Sequence, residues 1–405
     1  MNILVTNMYS FVNKGCEAYA KAIVNELSKI EKETNFKIFT RDPGYDALWM
    51  NKSKKVSFLR NPFQRWYRFS RLWQYKLASK LGVRDFLKEG MDAFKWADVV
   101  VSTNDIFSST YGGVFQNLAP IKAALSCKKP VVLIGHSIGL FKKDKEIRAF
   151  TKTMKNVRLI NVRESLTLDY LKKINLKNVR VELTADPAFC LEPETKNLDS
   201  LWNAYNLPDN EITIGIAPNQ GIAYFGGTSY ADHFKSLRDL IDYLTREFNF
   251  HIVLIPHVQD IPLKNNDRVI CELLYRKLGF PENVTILSLS HSAEEIRAIV
   301  GKLNVMIAER MHAAIASLAQ NIPTFAIGYS LKAKGILGDI YGFDNLEDYL
   351  ISVKNLSGKV LQDRVNNLID NRNKVTQHLS KVIPIIKQNA KRNFTLTIDV
   401  LNHDK

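Results

Sequence analysis

Short β-branched runs recur along this chain, at 3–6, 99–102, 131–135, 159–162, 212–217, 251–256, 285–287, 305–308 and 324–327. Segments with apolar residues at helical period lie between most of them, at 17–30, 232–247, 293–301 and 312–320. Strands that alternate with helices, and that are apolar on both faces, belong in parallel sheets covered by helices on each side. The expected fold class is therefore α/β. A chain of 405 residues, 46% of them hydrophobic, exceeds what one core holds, so two Rossmann-like parallel-sheet domains are expected. The polar, proline-bearing stretch 191–210 (LEPETKNLDSLWNAYNLPDN) separates the two series. The expected domains are 1–195, 196–375 and a helical tail, 376–405. Ser292 followed by Glu295 fits a capping box opening the helix at Ala293. The C-terminal segment 360–387 has helical period, interrupted at Pro384. Two readings fit it, a cap on the second domain or, better, a helix that crosses back to the first.

Fifty-six Lys and Arg against 41 Asp and Glu leave a formal charge of +15, which favours anionic partners without choosing among them. Cys16, Cys127, Cys190 and Cys271 show no paired spacing, so neither a zinc site nor a disulfide framework is expected. No apolar stretch reaches the roughly 20 residues that span a bilayer, and the first residues do not read as a secretory signal. A cytoplasmic protein, soluble or peripheral at the inner face of the membrane, is the expectation.

In open parallel sheets, ligands collect where strand ends lead into helix N-termini. The polar residues of those loops are the candidates. They include NKGCEA (13–18), STNDIFSSTYGG (102–113), GHSIG (135–139), VRES (162–165) and ERMH (309–312). His312 falls in the first turn of a helix and Lys332 just past the next strand, so the two are expected to converge on one crevice. Cations there suit a strongly anionic ligand. The competing reading makes Arg310 and the lysines solvated charge and His312 a hydrogen-bonded residue near the core. Glu17, Asn104 and Asp105 are polar candidates for sugar hydroxyls or a base, against a role in capping loops. His136, His257 and His291 also stand at strand ends and read as local hydrogen-bonding residues.

The blocks NKGCEA, LIGHSIGLF, VRESLTLDYL, TADPAF and LSHSAEEIRAIVGKLNVMIAERMH, with ERMHAAIASLAQNIPTFAIGYSLKAKGIL, follow one another in an order that resembles the polysaccharide pyruvyl transferase family. The resemblance implies a fold similar to GT-B glycosyltransferases, phosphoenolpyruvate as donor and co-substrate, and a sugar of a glycan, lipid-linked or free, as acceptor. It also implies that Arg163, His312 and Lys332 are catalytic and bind the donor together with Arg310. Guanidinium and ammonium groups suit a molecule that carries a phosphate and a carboxylate. Neither a metal nor a further cofactor is required by such chemistry. Where the family commonly carries an acid after the first strand, this chain has Cys16. Glu17, Asn104 and Asp105 stay as acceptor-side candidates.

Residues 52–84 hold ten Lys and Arg and no acid, interleaved with aromatic residues, and Trp66, Phe69, Trp73 and Leu77 follow helical spacing. Packing on the first domain, contact with an anionic membrane surface, and nucleic-acid binding compete for this segment, and no nucleic-acid partner is expected. The rival functions are a nucleotide-sugar glycosyltransferase on the same architecture and a non-catalytic anion- or membrane-binding protein.

Overall fold

The computed structural model describes residues 1–50, 55–63, 84–109, 113–288 and 290–402. The helical stripe expected at Trp66, Phe69, Trp73 and Leu77 lies outside the described residues. Two compact units make up the chain. The first contains Met1–Phe11, Tyr19–Pro187 and Asn389–Lys405, and the second Val12–Ala18 and Ala188–Gln388. The chain thus changes unit just ahead of the polar stretch 191–210.

The first unit carries a parallel sheet of β1 (Asn2–Thr6), β2 (Asn35–Thr40), β3 (Val56–Arg60), β4 (Val99–Ser102), β5 (Val131–His136), β6 (Leu159–Val162) and β7 (Arg180–Leu183), in the order β3-β2-β1-β4-β5-β6-β7. β4 (VVVS) and β5 (VVLIGH) are buried at every position, as strands covered by helices on both faces must be. Leu4, Val100, Leu133 and Ile160 meet Phe94 and Phe150 in the core of this unit. In this unit the strands that hydrophobic runs do not announce are β2, β3 and β7. β2 (NFKIFT) interrupts its apolar residues with a lysine, while β3 and β7 are sheet edges with half-exposed faces.

The last helix, Arg372–Asn402, starts in the second unit and has its end, from Asn389, in the first. Of the two outcomes expected at Pro384, a kink or an end, the second does not occur: the helix runs through it. A proline inside a helix costs roughly 3 kcal/mol. Leu379, Ile383, Ala390 and Phe394 are buried on either side of it, so packing of the apolar face outweighs the lost bond. The final turns are anchored by Asn393. Its Oδ1 accepts from Gly135 N (3.1 Å) and Thr184 Oγ1 (3.0 Å), and its Nδ2 donates to Ala185 O (2.8 Å) and Ala390 O (2.9 Å).

Asp46, wholly buried in the short helix Pro43–Trp49, receives Ser10 Oγ (3.0 Å) and Phe11 N (2.8 Å) on one oxygen and meets Thr40 Oγ1 with the other. Burial pushes its pKa up to about 6 against the pull of these bonds. The folded state therefore holds a proton that the unfolded chain, with an ordinary aspartate, releases. This contribution to stability is full below about pH 4 and is lost as pH rises through about 6. An amide at this position supplies the same donor and acceptor without the charge. Asp46→Asn is expected to flatten this part of the stability profile, gaining about 3 kcal/mol on wild type at pH 8 and little at pH 4. Chemical denaturation of both proteins across that range measures the difference, and parallel profiles would refute the assignment.

The second unit carries β8 (Thr213–Ala217), β9 (His251–Leu254), β10 (Val284–Ile286), β11 (Val305–Ala308), β12 (Thr324–Gly328) and β13 (Leu350–Ser352), all parallel, in the order β10-β9-β8-β11-β12-β13. The capping box forms as expected: Ser292 Oγ accepts from Glu295 N (3.1 Å), and Glu295 Oε2 accepts from Ser292 N (2.7 Å). Among the described residues, no helix is long and apolar enough to cross a membrane.

Candidate functional site

In both sheets the strand order reverses beside the first strand, between β1 and β4 and between β8 and β11. Loops diverge at such switch points and leave a crevice at the carboxyl ends of the strands. In the first unit, Asn104 Nδ2 donates to Asn7 O (2.6 Å) across this point, with Asn104 in the left-handed region at φ 76°. Its side chain thereby ties two loops together.

Arg163 follows β6 and is buried. Its Nε donates to Ser137 Oγ (2.8 Å), its Nη1 to Asp186 Oδ2 (2.7 Å), and Asp105 Oδ2 stands 3.5 Å from Nη2. Burial disfavours the guanidinium charge, yet Asp186 and Asp105 outweigh that effect and raise its pKa. Asp105, expected on the acceptor side, is thus a partner of Arg163 and is the one carboxylate of the pair with partial solvent access. An arriving anion would compete with it for the guanidinium. His136 is stacked on Phe107 and driven down to about 3 chiefly by burial, so it is a neutral ring. Glu164 caps the helix Ser165–Lys173 by accepting from Thr167 N (2.8 Å), and burial lifts its pKa to about 7.

The second unit gathers four basic side chains near one another. Its segment Val12–Ala18 is pinned by Lys14 N to His257 O (3.0 Å) and by Gln259 N to Val12 O (2.8 Å). His312, in the first turn of the helix Met311–Leu318, lies against Gly15, where an added Cβ would stand 2.2 Å from Nδ1. His257 is buried and its pKa is driven well below the usual histidine range, first by burial and then by His312, Arg310 and Lys14. A neutral imidazole is what such a cluster of cations permits.

Arg310 is held by Asp267, through Nε to Oδ2 (2.9 Å) and Nη2 to Oδ1 (2.6 Å), with Asn265 Oδ1 3.3 Å from Nη2. Asp267 in turn accepts from Gln220 N and Val258 N, so one carboxylate sets the loops after β8 and β9 as well as the arginine. Glu309 bridges the switch point, accepting from Asn219 N (2.7 Å) and pairing with buried His233 (2.7 Å). Burial opposes the charge on His233, but Glu309 raises its pKa above the ordinary value. Past β12, Lys332 shares with Arg310, Asn219, Tyr329 and Ser330 a narrow crevice of about 50 Å³. That is room for three or four waters, or for one phosphate or carboxylate group. The expected pair is therefore modified: the crevice joins Lys332 to Arg310, while His312 lies outside its lining, packed on Gly15.

Glu17 is also placed differently from its expected acceptor role. Wholly buried, it pairs with Lys14 Nζ (2.8 Å) and accepts from Ala293 N (3.0 Å), capping the helix Ala293–Gly301. Its carboxylate holds the segment Val12–Ala18 in place. Sequence reasoning did not single out Lys14, Asp186, Asp267 or Glu309. Lys14, Asp186 and Glu309 stand in motifs already recognised, whereas Asp267 opens an ordinary amphipathic helix, Asp267–Lys277, and carries no local signal.

Among known proteins, the family model described as polysaccharide pyruvyl transferase matches residues 13–330. The amylovoran biosynthesis protein AmsJ of Erwinia amylovora is 22% identical over 423 residues, covering 99% of each chain. Similar solved structures include Anabaena Alr3699/HepE in complex with UDP and glucose (TM-score 0.62, 12% identity, all of both chains covered) and a glycosyltransferase from Rickettsia africae (TM-score 0.57, 13% identity, 100% of this chain and 96% of that one). At such identities the likeness speaks for the fold, two Rossmann-like parallel-sheet units of the GT-B kind. With the family model spanning most of both units and the arginine, histidine and lysine motifs inside it or at its edge, this chain belongs to the polysaccharide pyruvyl transferase family.

Proposed function

We propose that this protein transfers pyruvate from phosphoenolpyruvate to two hydroxyls of a glycan sugar, forming a cyclic ketal and releasing phosphate. A proton is added to C3 of the enol, which leaves C2 electrophilic. One sugar hydroxyl bonds to C2 and loses its proton; the C2–O bond to phosphate then breaks; a second hydroxyl adds and loses its proton. Of the two protons released from the hydroxyls, one balances the proton taken up at C3 and the other leaves with the oxygen of the departing phosphate, as hydrogen phosphate.

The observation that carries this reading is the crevice shared by Arg310 and Lys332, sized for a single anionic group. Lys332 acts there as a point charge, and Arg310 is oriented by Asp267. Arg163 is taken as a donor-binding arginine from its place in the VRES motif, its charge suited to an anionic group. His312 is the proposed acid. An imidazolium N–H is a donor within reach of a bound substrate, and the first-turn position against Gly15 fixes the ring. A sugar on a lipid carrier at the cytoplasmic face of the membrane is the proposed acceptor, in line with the biosynthetic role in the name of the Erwinia relative.

The test is a thermal shift with phosphoenolpyruvate. A ligand at 100 times its Kd adds about 2.7 kcal/mol, a shift of a few degrees, and His312→Ala is expected to reduce it. Phosphorus NMR then follows release of inorganic phosphate with candidate lipid-linked saccharides. Stabilisation by UDP-sugars alone, with release of a nucleoside diphosphate, would move the protein to the glycosyltransferase reading.

A further inference from the structure

At the opposite end of the strands from the Arg310–Lys332 crevice, by the amino ends of β12 and β13, lies a larger cavity of about 430 Å³. Its place follows from the strand direction. Tyr341 Oη binds Thr324, the first residue of β12, and Tyr349 directly precedes β13, whereas Lys332 follows the carboxyl end of β12. β12 is five residues long, so roughly 17 Å of strand separates the two places.

The lining is unlike that of the crevice. Three rings form a stack: Tyr341 lies on Tyr349 with centroids 3.7 Å apart and planes at 5°, and on His378 at 6.1 Å and 18°. The stack is locked without a ligand, because Tyr341 Oη accepts from Thr324 N (3.3 Å) and donates to Thr324 O (3.2 Å), and His378 Nε2 lies 2.8 Å from Ile340 O. Asn345, Asn371, Asp348 and Lys374 also line the cavity. Asp348 is held by Arg364 Nη1 (2.8 Å), and Asn371 Nδ2 is tied to Asn367. The Asn345 amide and the Lys374 ammonium make no side-chain hydrogen bond or ion pair with the described residues and are open to a ligand.

The volume falls in the range of small-molecule sites, roughly 300–1,000 Å³. Charge decides the class of ligand. Asp348 is already paired with Arg364, so the lining leaves one ammonium, Lys374, without the second cation that grips a phosphate, and the asparagines are a poor match for a purely apolar guest. A neutral sugar fits both parts, with C–H faces against the fixed rings and hydroxyls paired to amides. We infer that this cavity is a second carbohydrate site, which grips an uncharged part of the glycan at a distance from the reacting sugar. This inference rests on the glycan acceptor proposed above for its biological ligand, though not on the donor.

Saturation-transfer NMR and titration with neutral tetrasaccharides of α- and β-1,4-glucose, β-1,4-mannose and β-1,4-galactose provide the probes. At least one is expected to bind, with Kd raised at least about tenfold in both Tyr349→Ala and Asn345→Ala and unchanged in His312→Ala. Tyr349→Ala removes a packed ring, so its melting temperature is measured alongside; Asn345 is in an exposed loop, and its truncation leaves the stack in place. If no tetrasaccharide binds the wild type, or if Asn345→Ala binds as tightly as the wild type, the inference is wrong. Sugar binding without a phosphoenolpyruvate shift would instead leave this site standing and remove the proposed donor.

Discussion

Gly15→Ala is expected to lower kcat by at least about 100-fold while the protein stays folded. An alanine Cβ there would stand 2.2 Å from Nδ1, 2.4 Å from Cγ and 2.6 Å from Cβ of His312. Rotation about χ1 relieves the first two contacts but not the third, since Cβ is fixed to the backbone. The helix start at Met311 or the segment around Gly15 must therefore shift. Shifts near 1 Å at a catalytic group cost on the order of 100-fold in rate. The sign is informative, because alanine normally favours a helix over glycine by about 1 kcal/mol. Gly44→Ala, at a helix position with nothing within 4 Å of the new Cβ, is the matched control and should be silent. Phosphate release and thermal melting of the two variants settle the matter. Full activity in Gly15→Ala would separate His312 from the chemistry.

The largest effect on stability is expected at Asp186. With the Arg163–Asp186 pair 1% and 0% exposed, removing the aspartate leaves a buried guanidinium whose remaining carboxylate is Asp105 at 3.5 Å. Breaking such a pair costs about 3–5 kcal/mol, far more than the pair contributes relative to apolar residues of similar shape. Asp186→Ala should thus destabilise the protein strongly, whereas Arg163→Met with Asp186→Leu should recover most of the loss. A double-mutant cycle by chemical denaturation reads the coupling. Additive losses would show that Ser137 and Asp105 already satisfy the arginine. The activity readout is separate: every Arg163 substitution should abolish stabilisation by phosphoenolpyruvate, including the one that restores folding.

The two sheets were written in the sequence because burial on both faces demands continuous apolar runs, as in VVVS and VMIA, and those are local patterns. The Ser292–Glu295 box was equally local, one turn of helix closing on itself. The edge strands β3, β7 and β13 carry no such run for the converse reason. Arg180–Leu183 needs no apolar run on a face left open to water. The motif residues Arg163, Arg310, His312 and Lys332 were named from the chain, yet their surroundings were not. Asp267 orients Arg310 from 43 positions away, Glu17 caps a helix 276 positions on, and Gly15 shapes the place of His312. Periodicity encodes which face of an element is buried. Which loops then meet depends on strand order and register, and so the partners of each charge, and the cavity beside Tyr341 and Tyr349, were decided by the tertiary structure alone.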